Sequence, residues 1–297
     1  MKDKKQFSIL GTYLTPNVEA ELSKIKKELT SSLPVGRVIF TPNSIILLRA
    51  SRSKADRRIL NSADLLLPDG AGVVMVSRLL GYPINKRRTG IDTAEELLAF
   101  AEKNSLSVFL LGGKNGVASA AAANLKRSFP KLRIAGMHHG YFNKSGIENE
   151  KVVHMINRVS PDMLFVCFGY PRQERWIYEN KDKLRSLKLL MGLGGSLDVW
   201  SGKIKRAPEA MQKMNLEWLW RMLQEPRRIK DVASLPIFFI KVAEQKIFSQ
   251  CGSTKALSYH RRGDSRIARK NNGLPLVHAP SRVILPIRQK YCTSAEE

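Results

Sequence analysis

The feature that most constrains this chain is a pattern repeated along its first two thirds. A short apolar run ends in a turn rich in Gly, Pro or polar residues, and an amphipathic, helix-prone stretch follows. Arg37–Phe40 ends at Thr41-Pro42-Asn43, and Asp64–Leu67 ends at Pro68-Asp69-Gly70-Ala71-Gly72. Ser107–Leu111 ends at Gly112-Gly113, with Ala118–Lys126 strongly helix-prone beyond it. Arg133–Gly136 leads to His138-His139-Gly140, Met163–Cys167 to Phe168-Gly169-Tyr170-Pro171, and Leu187–Met191 to Gly192-Leu193-Gly194-Gly195. Unbroken apolar runs are strands buried on both faces, so the pattern predicts an α/β fold: a parallel sheet with helices on both faces. In such a sheet the turns at the carboxyl ends of the strands gather on one edge, where ligands bind.

After Gly195 the character changes. Pro208–Met222 is predicted to be one helix carrying Trp218, Leu219 and Met222, stopped by Pro226. In Leu235–Phe248 large apolar residues are interspersed with lysines, as in an interfacial amphipathic helix; an ordinary helix packed on the sheet fits the same residues. From about Gln250 periodicity is lost, and residues 247–297 hold nine basic side chains against three acidic ones. The expected organisation is an α/β domain over 1–195, a C-terminal helical appendage over 196–249, and a disordered basic tail over 250–297.

The 297 residues carry a formal charge of +24 and a pI near 10.2, which suits nucleic acid, an anionic membrane surface or phosphate-bearing small molecules. Basic residues are dispersed and no nucleic-acid-binding motif is present, so a nucleic-acid-binding α/β protein is the weaker alternative. No apolar run approaches the ~18 residues of a membrane span, and the stretch after Met1 is too broken for a secretory signal. Cys167, Cys251 and Cys292 have neither zinc nor disulfide spacing. These features predict a cytoplasmic protein.

Several turns could carry chemistry. Gly112-Gly113-Lys114-Asn115-Gly116 follows a strand and opens a helix, which suits a phosphate, although such turns often serve only the chain reversal. It is neither a dinucleotide fingerprint nor a Walker A loop. Gln173 lies in the first turn of a helix at the ligand edge and could hydrogen-bond a sugar or a base. Beside it, Glu174 is expected to face the helix dipole and Trp176 to enter the core. Asp69 follows a strand directly, where Asp commonly makes a turn or an N-cap; Asp92 could cap a helix starting near Thr93. No DxD, GxSxG or HExxH occurs, and His138-His139 has no evident third metal ligand.

In order, these segments resemble the WecG/TagA/CpsF family of bacterial glycosyltransferases. The resemblance runs over residues 35–230 through Thr41-Pro42-Asn43, Pro68-Asp69-Gly70, Arg88-Thr89-Gly90-Ile91-Asp92, Leu111-Gly112-Gly113, His139-Gly140-Tyr141-Phe142 and Pro171-Arg172-Gln173-Glu174. It continues through Gly194-Gly195-Ser196-Leu197-Asp198, Gly202 to Pro208, Leu216–Arg221 and Glu225–Arg228. It implies a Rossmann-like fold and an inverting, metal-independent transferase with no cofactor. Such an enzyme would move N-acetylmannosamine or a related sugar from a UDP-sugar donor to undecaprenyl-diphosphate-linked GlcNAc, for surface polysaccharide or teichoic acid. It implies Asp69 as general base, with Thr41, Asn43, Arg88, Asp92, Gly112, Gly113, Gln173, Gly194, Arg221 and Arg228 binding substrate. It also implies that residues 1–195 are the catalytic domain and that the appendage over 196–249 completes the active site and faces the membrane, in a protein held peripherally on the inner face of the cytoplasmic membrane. An oligomer is compatible with the chain, and a capsule or exopolysaccharide transferase using another UDP-hexose remains the alternative. One departure stands out: where family members often carry an arginine, this chain has Asp231.

Inverting chemistry suits these residues. One base must take the acceptor proton as the anomeric carbon is attacked, and guanidinium groups can stabilise the leaving diphosphate in place of a metal.

Overall fold

A computed structural model describes residues 7–82, 84, 88–226 and 229–248; Arg228 and the basic tail lie outside them. Six strands form one sheet: β3 (Arg37–Phe40), β4 (Leu65–Leu66), β5 (Ser107–Gly112), β6 (Arg133–His138), β7 (Met163–Cys167) and β8 (Leu189–Gly192). Their order is β4-β3-β8-β7-β5-β6, and every neighbouring pair is parallel. Ahead of them β1 (Ser8–Ile9) and β2 (Thr12–Tyr13) make a short antiparallel hairpin.

Side-chain alternation divides the interior into two cores. Val38, Phe40, Phe109, Leu111, Leu164, Val166 and Leu190 enter one; Ile39, Val108, Leu110, Met163, Phe165, Leu189 and Met191 enter the other. The second core is closed by α1 (Val18–Leu29), α5 (Gly90–Lys103), α6 (Val117–Ser128) and α9 (Ser196–Trp200). In α1, Val18, Leu22, Ile25 and Leu29 recur on one helical face, and Asn17 caps the start by accepting from Ala20 N–H at 3.1 Å. The first core is closed by α2 (Ser44–Ser51), α3 (Lys54–Asn61), α4 (Ala71–Leu79), α7 (Gly146–Val159) and α8 (Arg172–Asn180).

The C-terminal segment differs from the expected single helix. α10 (Glu209–Lys213) and α11 (Glu217–Gln224) are separate, because Asn215 takes a left-handed conformation with φ 61° between them. After α12 (Ile229–Val232), residues 235–248 form a further helix, α13. Two of its residues, Phe238 and Val242, are fully buried in the first core. Gln245 accepts from Leu10 N–H at 2.8 Å and donates to the Ser8 carbonyl at 2.9 Å, pairing with the hairpin backbone as a strand would. The large apolar residues of Leu235–Phe248 therefore do not form a single outward face. Phe238 is core, Phe239 lines a cavity, and Ile240 is 59% exposed.

Candidate active site

A cavity of about 400 Å³ opens at the carboxyl ends of β4, β3 and β8. Thr41 and Asn43 reach it from the turn after β3, and Asp69 from the turn after β4. The two turns are joined where Asp69 N–H donates to the Pro42 carbonyl at 3.3 Å. Asn43 is the N-cap of α2, its Oδ1 accepting from Ile45 N–H and Ile46 N–H at 3.1 and 3.0 Å. With that oxygen occupied, a hydrogen bond from this amide to a ligand is donated by Nδ2. Asp69 does not cap α4: Gly70 holds the N-cap position with no side-chain bond. The carboxylate instead lines the cavity.

The opposite wall comes from the C-terminal segment. Arg206, Glu217, Trp218, Arg221 and Asp231 line it together with Phe239. A Cβ added at Gly195 would lie 3.3 Å from an Arg221 guanidinium nitrogen, so that arginine rests directly over the turn after β8. Asp231 pairs with Arg49 on α2 at 2.5 Å, tying α12 to the sheet domain. In place of a further arginine, this chain has an acid that recruits an arginine from the neighbouring helix.

The remaining residues singled out from sequence lie elsewhere. Arg88 turns away from the cavity and forms ion pairs with Glu19 and Glu96. Asp92 lies in the first turn of α5, whose N-cap is Thr89 rather than Asp92. Asp92 N–H donates to Thr89 Oγ1 at 3.1 Å, while the Asp92 carboxylate holds Arg206. Gly112 has φ +146°, and a Cβ there would meet the Cys167 carbonyl oxygen at 2.4 Å, so glycine is demanded by the backbone itself. Gly113 N–H and C=O bond Cys167 and Gly140. Gln173 is buried: its Oε1 accepts from Gly169 N–H at 3.1 Å and Gly194 N–H at 2.8 Å, and its Nε2 donates to Glu174 at 2.9 Å. It latches the turn after β7 to the turn after β8.

Glu174 differs from the expected helix-dipole partner. It is buried, and burial pushes its carboxyl up to about 7 despite the opposing hydrogen bond from Gln173. A carboxylate facing an open helix N-terminus would move the other way. Trp176 is core as expected, with its indole N–H donating to Asn149 at 2.7 Å.

Glu217 and Trp218 lie in a segment that carries the resemblance but were not singled out as site residues, and neither was Phe239. Arg206 belongs to a recognised segment, but its place in the cavity wall depends on a fold-back of residues 204–224 that local pattern does not encode. Among the described residues no three His, Cys, Asp or Glu side chains gather as a metal site, and no helix is long and apolar enough to cross a membrane.

A parallel α/β sheet with an acid and an N-capping asparagine at its carboxyl edge, and arginines folded over them, forms a walled cavity where sheets of this kind bind ligands. The sequence matches the glycosyl transferase WecG/TagA/CpsF family over residues 7–252, and the chain belongs to that family. It is a glycosyltransferase. It is 40% identical over 208 residues to the N-acetylglucosaminyldiphosphoundecaprenol N-acetyl-beta-D-mannosaminyltransferase of Staphylococcus aureus (strain MRSA252), covering 70% of this chain and 80% of the relative. It is 36% identical over 234 residues to the protein of the same name from Bacillus subtilis (strain 168), covering 79% and 89%.

Proposed function

We propose that this chain transfers N-acetylmannosamine from UDP to the GlcNAc of a polyprenyl-diphosphate-linked acceptor, with inversion and without a divalent metal. The observation that carries the reading is the cavity in which Asp69, Thr41 and Asn43 face Arg206 and Arg221. The two relatives named for this transfer support the choice of donor and acceptor. In the proposed step an acceptor hydroxyl oxygen attacks the anomeric carbon as the bond to UDP breaks. Asp69 takes the hydroxyl proton, and Arg221, over the Gly195 turn, stabilises the charge gathering on UDP. Asn43 donates through Nδ2 and helps to orient the sugar diphosphate.

The acceptor is anchored in a bilayer, so the cavity mouth must meet a membrane surface. Ile229, Ile237, Ile240, Ile247 and Phe248 are exposed on α12 and α13, and Lys230, Lys241 and Lys246 are interleaved with them. That combination of apolar area and positive charge supports peripheral attachment to an anionic leaflet.

The test is UDP release with a panel of UDP-sugars and a lipid-diphosphate-GlcNAc analogue, with and without EDTA. Release with UDP-N-acetylmannosamine, undiminished by chelator, is expected. Preference for another UDP-hexose would move the protein to the capsule or exopolysaccharide class, and loss with EDTA would overturn metal independence.

A further inference from the structure

Residues 204–207 run along the cavity wall, and α11 is fastened to them. Lys205 N–H donates to Gln224 Oε1 at 3.1 Å. The Lys205 carbonyl accepts from Gln224 Nε2 at 2.9 Å and from the Trp220 indole N–H at 3.0 Å. The next residue, Arg206, places its guanidinium among three carboxylates drawn from two elements. Asp92 and Glu95 belong to α5 of the sheet domain, and Glu217 is the first residue of α11; the Glu95 and Glu217 contacts are each 3.7 Å. Burial works against the Arg206 charge, but the carboxylates, Asp92 foremost, outweigh it and hold the pKa above the ordinary arginine value. Its Nε is buried and has no hydrogen-bond partner among the described residues.

Three carboxylates around one guanidinium leave little positive field for a diphosphate. Arg206 is thus poorly suited to bind the anion itself, although it lines the cavity. Glu217 and Arg221, by contrast, are four residues apart on α11 and so share one helical face. Fixing the Glu217 end to α5 fixes where Arg221 stands one turn later, over Gly195.

We propose that Arg206 is a positioning residue: by joining Asp92 and Glu95 of α5 to Glu217 of α11, it holds Arg221 at the site of the leaving diphosphate. The inference rests on the transferase reading of the cavity. It also makes Asp92 a support for Arg206 rather than a direct ligand of substrate.

The experiment compares turnover of UDP-N-acetylmannosamine by full-length wild type, Arg206→Ala, Arg206→Lys, Glu217→Gln, Arg221→Ala and the Arg206→Ala/Arg221→Ala double variant. A soluble lipid-diphosphate-GlcNAc analogue serves as acceptor, and amide hydrogen exchange across residues 217–224 is followed in parallel. Arg206→Ala is expected to lower kcat ~10- to 100-fold, the scale of a misplaced catalytic group. Arg206→Lys should recover part of it, since an ammonium can keep one carboxylate but not bridge three. The double variant should fall within twofold of Arg221→Ala, because a residue acting only through Arg221 has nothing left to position. Losses that multiply in the double variant would overturn the proposal and make Arg206 a direct ligand. Wild-type kcat in Arg206→Ala would overturn it as well.

Should Arg206→Ala fail to fold, Glu217→Gln carries the test. It removes the charge of the α11 arm while leaving the α5 pairs, and wild-type turnover there sinks the idea. If wild type itself neither turns over nor binds UDP, the transferase reading fails. Hydrogen exchange still decides the anchoring: faster exchange of α11 in Glu217→Gln, with β5 unchanged, upholds it, and unchanged exchange refutes it.

Discussion

The two halves of the sheet edge begin from similar sequence and end in opposite states. Over β4, β3 and β8 the turns, although joined where Asp69 N–H meets the Pro42 carbonyl, border the cavity beneath the C-terminal segment. Over β7, β5 and β6 the turns bond one another shut: Gly113 N–H donates to the Cys167 carbonyl at 3.3 Å, and Gly140 N–H to the Gly113 carbonyl at 2.8 Å. Aromatic rings pack over this seam, with Phe142 edge-on to both His138 and Phe168, and a shallow hollow remains beside Lys114–Val117 and Ser201–Lys203. The Lys144 ammonium lies 3.5 Å from the Phe142 ring centroid and donates to the Gly140 and Phe142 carbonyls at 2.6 and 2.8 Å. A glycine-rich turn after a strand is therefore insufficient for a site. A site needs turns that border a cavity, and a second element to wall them in.

The comparison breaks most sharply at Asp69. Asp69→Asn keeps size and shape but cannot take a proton at neutral pH. Turnover is expected to fall ~10²–10⁴-fold, the range of a lost general base, with UDP affinity largely kept by calorimetry. Turnover within a few-fold of wild type would return Asp69 to the role of a turn residue and leave the open half without its base.

Gln173 stands at the boundary between the halves, and its loss tests whether they depend on one another. Gln173→Ala strips the acceptor from Gly169 N–H and Gly194 N–H. Leaving such groups unpaired costs ~1–3 kcal/mol each when they are fully desolvated. Both are only half-buried, so the expected loss in chemical denaturation is about 2 kcal/mol. UDP binding should weaken as the turn beside Arg221 loosens. Wild-type stability would mean that water replaces the amide without penalty.

The sheet and the two-sided core were legible from apolar runs alone, because burial on both faces leaves Ser107 as the one polar side chain besides Cys167 in β5, β7 and β8. Asp69, Thr41 and Asn43 were legible for a related reason: each lies within three residues of a strand's carboxyl end, so topology carries it to the ligand edge. The roles of Gln173 and Asp92 were not. Both lie in first helical turns that local pattern assigns to ligand or cap, and what decides them is a partner 21 or 114 residues away. The expected single helix after Pro208 missed its break because Asn215 alone signals the left-handed residue. The core role of Phe238 and Val242 in α13 was hidden because the apolar residues of that segment point to two sides, inward to the core and outward to solvent. Truncation at Leu235 would consequently unfold part of the first core, so the proposed membrane attachment is better probed by exposed single substitutions such as Ile240→Glu. That variant should weaken co-sedimentation with anionic vesicles while leaving the thermal midpoint within a few degrees.

Glu174 sharpens the comparison through pH. Its folded pKa, about 7, lies above the ordinary 4.5, so the folded state holds the proton more tightly than the unfolded one. Between pH 4.5 and 7 the wild type therefore loses stability as pH rises, and below that window the contribution is fully present. Glu174→Gln does not titrate and keeps an acceptor for Gln173. The variant should gain on wild type across that window, by at most on the order of 3 kcal/mol above it. Parallel pH–stability curves for the two proteins would show that solvent reaches the carboxyl and that the seam between the halves is wet.

The smallest effect is expected where a titration signature is most tempting. The Lys144 amine is pulled down to about 8, first by burial and then by the nearby Arg172 charge, with Glu148 opposing. A shifted amine at the carboxyl edge of an α/β sheet is a common mark of function. Here its surroundings argue otherwise: the ammonium is held by two carbonyls of its own loop and by two aromatic faces, on the sealed half of the edge. A depressed lysine pKa also means that the folded state disfavours the charge. That penalty is present at neutral pH and disappears as pH rises from about 8 towards the usual lysine value. Lys144→Met retains the apolar contact with Phe142 and Phe168 while removing the charge. Its kcat and KM with the donor should stay within twofold of wild type at pH 7, where Asp69→Asn has lost at least ~100-fold. A tenfold loss in Lys144→Met with unchanged folding would show that the sealed half takes part in the reaction, and the division of the sheet edge into a working and a structural half would fall.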